Sequence, residues 1–182
     1  MTTDALEAYA FVPQTSGSPD EFVAAVTETV TGARFACRTV GTAVAFVAAE
    51  VPSLEVLQQQ VVPGVLEAGA ISASWTTANT GRAPRFGHPV KRARATTGAL
   101  VRIRARNPRR HMRDLSERFA SLTDATATER GFTAGAIQTT GAEYNVLLDL
   151  GAPDYDALAQ SVDLLEGLTG ATVLDVALLQ LP

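Results

Sequence analysis

Three arginines stand at alternate positions in the run Ala99-Leu100-Val101-Arg102-Ile103-Arg104-Ala105-Arg106. Strand side chains alternate between faces, so Val101, Ile103 and Ala105 share one face and Arg102, Arg104 and Arg106 the other. A guanidinium offers a planar fork of donors that fits a carboxylate or a phosphate. Three readings of the row are open. It is the cationic floor of a site for a small anion, or one side of a structural ladder of ion pairs, or part of a surface for nucleic acid. The ladder reading has a partner in view: Glu143, Asn145, Leu147 and Asp149 share one face of a later strand, which sets acids across from the arginines.

The nucleic-acid reading draws on a wider asymmetry. Twelve of the fifteen Lys and Arg residues lie between Arg82 and Arg118, with only Asp114 and Glu117 as acids there. The segment carries a formal charge of +10 and the rest of the chain −14, for a net charge of −4. No helix-turn-helix or zinc pattern accompanies it, and Phe86 is the nearby aromatic available for stacking. Sequence-specific DNA binding is therefore not expected of this chain alone, and any binding by the segment should weaken steeply with salt.

The remaining chemistry-bearing residues are few. His88 falls in an irregular segment and His111 beside Arg110, neither in a metal-ligand spacing, and both read as surface residues. Cys37 stands alone, so neither an intrachain disulfide nor a cysteine-based zinc site can form. There is no Gly-rich phosphate loop, and no Ser/His/Asp arrangement can be inferred. Trp75 reads as packing. No metal and no cofactor is expected.

The elements that must position these residues occur twice. Gly41 matches Gly141, each ahead of an apolar strand; Pro52, Leu57 and Val61 match Pro153, Leu158 and Val162; Gly69-Ala70 matches Gly170-Ala171. In the first copy, Glu7–Val12 reads as a strand. Ser18-Pro19-Asp20-Glu21 then opens a helix with a capping box and Pro at its first position. A hairpin over Ala33–Val40 and Thr42–Glu50, a helix over Pro52–Glu67 and a strand over Ala70–Ala78 follow. The second copy reads as a strand ending at Arg106, a helix from Asn107-Pro108, a strand pair Ala127–Thr139 and Glu143–Leu150, a helix over Pro153–Leu168, and a strand over Ala171–Leu181. Asn79–Gly98, rich in Gly, Pro and Arg, reads as a linker.

The chain thus divides into a first ferredoxin-like repeat over 1–80, a basic linker over 81–98 and a second repeat over 99–182. The predicted class is α+β: tandem β-α-β-β-α-β repeats. Helices cover one face of each sheet, so packing sheet to sheet, as an intrachain dimeric α/β barrel, would cover the other. Aligning Ala5-Leu6 with Ala99-Leu100 sets Ala8, Ala10 and Val12 at the positions of Arg102, Arg104 and Arg106. All three arginines should then line the space between the sheets. Hydrophobic residues make up 46% and charged residues 19% of 182, an ordinary globular balance. Apolar runs such as Val44–Ala49 are too short to span a bilayer, and Met1-Thr2-Thr3-Asp4 lacks the start of a secretory signal. A cytoplasmic bacterial protein is expected.

Thr139-Thr140-Gly141-Ala142-Glu143-Tyr144-Asn145, followed by Pro153-Asp154-Tyr155 and Leu168-Thr169-Gly170-Ala171, resembles the effector-binding (RAM-like) domain of Lrp/AsnC-type regulators. That family shows a Gly-x-Tyr-Asp turn, a Pro-Asp-led helix and a Leu-Pro-Gly-Val approach to the last strand. Here Asn145 replaces the aspartate, and the family's helix-turn-helix is absent. The resemblance implies a regulatory protein binding an amino acid or other carboxylate around Gly141, Glu143, Tyr144 and Asn145. A homo-oligomer fits this reading and a membrane partner does not. ACT domains share the silhouette, but their Asp-x-Pro-Gly turn is missing. The alternative on the same fold is a cofactor-independent dimeric α/β-barrel enzyme, of monooxygenase or cyclase type, acting on a small anionic or aromatic substrate.

Overall fold

The computed structural model describes residues 5–79, 82–87, 97–141 and 143–180, in two compact units, Met1–Ala83 and Pro84–Pro182. Among the described residues no helix is long and apolar enough to cross a membrane.

The first unit runs β1 (Leu6–Thr15), α1 (Pro19–Thr29), β2 (Ala33–Val40), β3 (Ala45–Val51), a helical stretch, and β4 (Ala70–Asn79). Its strands lie in the order β4-β1-β3-β2, with β1 antiparallel to both neighbours. The start of α1 follows from its sequence. The Ser18 hydroxyl accepts from the Asp20 and Glu21 N–H groups, the Glu21 carboxylate accepts from Ser18 N–H at 3.2 Å, and Pro19 takes the first turn.

The expected helix over Pro52–Glu67 is interrupted. It comprises α2 (Leu54–Val56), a π turn (Leu57–Val61) and α3 (Val62–Glu67), with Val62 N–H donating to the carbonyl of Leu57. Pro63 follows at once. Proline has no N–H and crowds the carbonyl four residues back, and a widened turn relieves that crowding.

The second unit runs β5 (Arg85–Phe86), β6 (Thr97–Ala105), α4 (Pro108–Arg118), a 3₁₀ turn (Ala120–Leu122), α5 (Ala125–Glu129), β7 (Thr133–Gln138), β8 (Val146–Ala152), α6 (Tyr155–Asp163) and β9 (Ala171–Gln180). The sheet order is β9-β6-β8-β7-β5. Two expectations change here. Residues Ala125–Glu129 form a helix rather than the start of a strand, because the Asp124 side chain accepts from Ala127 N–H and caps a helical turn. Part of the expected linker is structured: Arg85 and Phe86 pair with Ile137 and Ala136, and Phe86 packs on the core. His88, Lys91, Arg92 and Arg94 lie outside the described residues.

Each sheet has one face under its own helices. In the first unit Ala8, Ala10 and Val12 of β1 pack with Phe22 and Val26 of α1 and with Leu57 and Val61. In the second, Val101, Ile103 and Ala105 pack with Met112 and Leu115 of α4 and with Leu158 of α6. The helix-free faces are buried too, through Tyr9, Phe11 and Phe46 in the first unit and Leu100, Leu147 and Leu179 in the second.

Strand register corrects the sequence alignment. Leu6 pairs with Val51 and Thr97 with Ala152, and each partner directly precedes a proline, Pro52 or Pro153. Phe11, not Ala8, therefore corresponds to Arg102. The shift is three residues, an odd number, so it exchanges the faces: Ala8, Ala10 and Val12 lie under helices like Val101, Ile103 and Ala105.

α6 ends against α4. Arg118 donates from Nη1 to the carbonyls of Leu164, 2.9 Å, and Glu166, 2.8 Å, groups left without intrahelical partners at a helix end. Replacing Arg118 by Ala should lower unfolding free energy by about 1–2 kcal/mol in urea titration, with no change in far-UV helicity at low denaturant.

Candidate functional site

Arg102 occupies the middle of β6, opposite Leu147 on β8 and Asp175 on β9. The pairing with β9 slips just beyond it: Arg102 pairs with Asp175, then Ile103 with Val173, which leaves Leu174 as the bulged residue. Arg102 Nη2 donates to Asp175 Oδ2 at 2.8 Å, and the two side chains are only 14% and 10% exposed. Glu143 Oε2 lies farther off, 3.8 Å from Nη1, on a side chain 63% exposed. Asp175 is therefore the principal counter-ion. Glu143 is an outer carboxylate whose attraction water largely screens.

Tyr144 completes the cluster. Its ring centroid lies 6.0 Å from the Arg102 guanidinium carbon, within cation–π range, and the side chain is buried. Burial pushes the phenol well above the ordinary tyrosine range; the Arg102 charge opposes the shift and Glu143 adds to it. The hydroxyl stays protonated at physiological pH and can act as a neutral donor. Asp149, also buried, is cross-strand partner to Leu100, two residues from Arg102 on the same strand, and so shares the helix-free face.

The other sequence candidates do different work. Arg104 and Arg106 are exposed and line an open groove of about 560 Å³ with Gly170, Ala171 and Thr172. Arg102 is largely enclosed, whereas Arg104 and Arg106 are exposed. The reason is strand length: β8 begins at Val146, which pairs with Ile103, so β6 has no β8 partner where Arg104 and Arg106 stand. Asn145 spans that gap, its Oδ1 accepting from Ala105 N–H and its Nδ2 donating to Ala105 O, both at 2.9 Å. It extends the ladder with a side-chain amide. Gly141 adopts φ 148°, a conformation that suits glycine. The structure brings together Arg102, Glu143 and Tyr144.

His111 is a further correction. It is buried, with Nδ1 2.8 Å from the carbonyl of Asn107 and Nε2 2.9 Å from that of Thr169. It fastens α4 to the approach to β9. Asp175 was missed in the sequence, although it is the one charged residue in the apolar run Ala171–Leu181.

No protein-family model matches the chain, and no curated protein matches it in sequence. Solved structures do resemble it. One, described as a candidate chlorite dismutase, has TM-score 0.60 and 10% identity, over 100% of this chain and 96% of that one. A candidate monooxygenase from Lactobacillus acidophilus has TM-score 0.48 and 6% identity, over 96% and 92%. A heme-binding protein from Thermus thermophilus has TM-score 0.48 and 10% identity, over 96% and 89%. The first likeness shows an α+β fold with antiparallel sheet, at an identity too low to show more.

The first of these is not described as an Lrp/AsnC-type regulator, and the expectation of a regulatory protein is overturned. The geometry agrees, because Asn145, expected to hold an effector, is spent on the Ala105 backbone. A haem group needs an axial ligand such as histidine, cysteine, methionine or tyrosine. Among the described residues His111 has both ring nitrogens on backbone carbonyls, and Cys37 and Met112 are buried in the two units' interiors. No group of three or more His, Cys, Asp and Glu side chains there could hold a metal ion. His111, Cys37 and Met112 thus offer no open ligand atom, and no step is assigned to haem.

Two outcomes follow from the cluster. Arg102→Met should cost about 3–5 kcal/mol in urea unfolding, because Asp175 loses its close cationic partner in a largely enclosed setting; Arg102→Met with Asp175→Leu should recover much of this, and Arg106→Gln should stay within about 0.5 kcal/mol. The raised Tyr144 pKa gives a second. Above the ordinary tyrosine value near pH 10 the unfolded chain loses a proton that the folded chain keeps, so stability falls as pH rises from there. Relative to Tyr144→Phe, the wild type should lose roughly 1.4 kcal/mol more per pH unit in that range, and nothing extra below it.

Proposed function

We propose that the chain is an enzyme built from tandem ferredoxin-like modules of the dimeric α/β-barrel kind, acting on a small anionic or aromatic substrate at the helix-free face of the second unit's sheet. The observation that carries this is a fixed cation, Arg102, beside the protonated phenol of Tyr144 and the largely enclosed carboxylate of Asp175, with the buried Asp149 on the same sheet face. Asp175 orients the guanidinium. Arg102 and Tyr144 then act as donors to an oxygen that gains negative charge, as in an enolate or phenolate. Asp149 is the candidate base that takes the proton whose removal creates that charge. The buried neighbours Leu100 and Leu147 make the surroundings of this cluster apolar. Proton abstraction with oxyanion stabilisation is the shared core of cofactor-independent oxygenation and of ring closure, and the substrate decides between them.

The test is a thermal-shift panel of phenolic and β-dicarbonyl acids beside the common amino acids, followed by turnover assays on whatever binds. A ligand at about 100 times its Kd stabilises by roughly 2.7 kcal/mol, a readily seen shift. Aromatic or dicarbonyl acids should stabilise the protein, and Tyr144→Phe should cut kcat by about 10²-fold or more with KM little changed. A shift with amino acids alone, or full turnover by Tyr144→Phe, would overturn the proposal.

A further inference from the structure

The cluster above leaves most of the chain's positive charge unused. Arg104, Arg106, Arg109, Arg110 and Arg113 are all exposed and stand around the join of β6, α4 and β9. They border grooves that share residues. One is lined by Arg104, Arg106 and Gly170; the next by Arg106, Asn107, Arg110 and Thr169; a third by Asn107, Arg109, Arg110 and Arg113. The grooves therefore run into one another as a path over the basic end of the second unit.

Two of these arginines have only distant acidic partners. Arg110 and Arg113 reach Asp114 and Glu117 only at 3.8 and 3.9 Å. Both are exposed helix pairs with the acid C-terminal to the base, the weaker order. The first turn of α4 contains no acid, although its free N–H groups already make that end positive. Like charges this close repel, and an anion laid along the path would relieve them.

The lining indicates which anion. It is open and elongated, which suits a chain better than a compact metabolite. It is concave, so a flat membrane surface would meet only part of it. Among the described residues its one ring is that of His111, held between two backbone carbonyls, and it holds no large aliphatic side chain of the kind that anchors a protein partner. Arginine matches phosphate oxygens in bidentate geometry. We propose that this arginine path binds the phosphodiester backbone of single-stranded nucleic acid, independently of sequence. The His111 ring is buried and cannot serve as a stacking platform, so the bases are left unread. The site is separate from Arg102 and does not depend on the enzymatic reading.

The experiment is fluorescence anisotropy of the full chain with labelled oligothymidylate and a mixed-sequence strand of equal length, across a salt series. Both strands should bind at low salt with similar affinity, and log K should fall against log salt with a slope of about −3.5 if five phosphates are neutralised. Arg109→Gln with Arg113→Gln, both on an exposed helix surface, should shrink that slope by about 1.4, while Arg34→Gln in the first unit should leave it unchanged. Three outcomes would overturn the proposal: no binding at low salt, binding that the double variant leaves intact, or binding of polyglutamate or anionic vesicles in place of the oligonucleotides. A failed substrate panel would leave this result untouched, and the reverse also holds.

Discussion

Arg102 sits at the centre of a sheet with a strand on either side, where water reaches little of its side chain. A guanidinium in that position must bring its counter-charge with it, since an unpaired charge out of water costs several kcal/mol. The counter-charge is Asp175, delivered by the bulge that offsets β9 against β6. Much of the second unit's interior follows from this pair. Tyr144 packs its ring beside the cation, and Asn145 closes the ladder where β8 begins too late to do so.

The first unit shows the same architecture without that constraint. Phe11 stands where the second unit has Arg102, and Phe46 where it has Leu147. Phe11 and Phe46 meet with ring centroids 5.1 Å apart, Tyr9 and Phe46 at 6.2 Å. Aromatic packing of this kind buries area without a desolvation penalty. The first unit thus fills the middle of its helix-free face with rings, with Glu7 accepting from the Tyr9 hydroxyl toward the start of β1, and the second keeps Arg102 in the middle of its own.

The ends of the second unit's helices are held by side chains that a sequence reading would assign to solvent. His111 links Asn107 to Thr169, and Arg118 gathers the carbonyls that end α6. Both act on the segment that leads into β9, the strand that carries Asp175. They hold the outer geometry on which the Arg102 pair relies, and they leave the arginines at the start of α4 facing solvent.

Local chemistry in the sequence determined much of this. The alternation in Ala99–Arg106 fixed which residues of β6 lie under the helices, because that depends only on the period of a strand. Ser18-Pro19-Asp20-Glu21 fixed the start of α1, because the capping groups are three residues apart. Tertiary structure decided what depends on distant pairing. The slip at Leu174 chose Asp175 over Glu143 as the close partner of Arg102, and the register at Val51 and Ala152 set Phe11 opposite the expectation for Ala8. An odd shift in register exchanges the faces of a strand, and no local pattern records it. Which arginine is enclosed and which lie open was decided by where β8 begins relative to β6, a relation between residues more than forty apart in the chain.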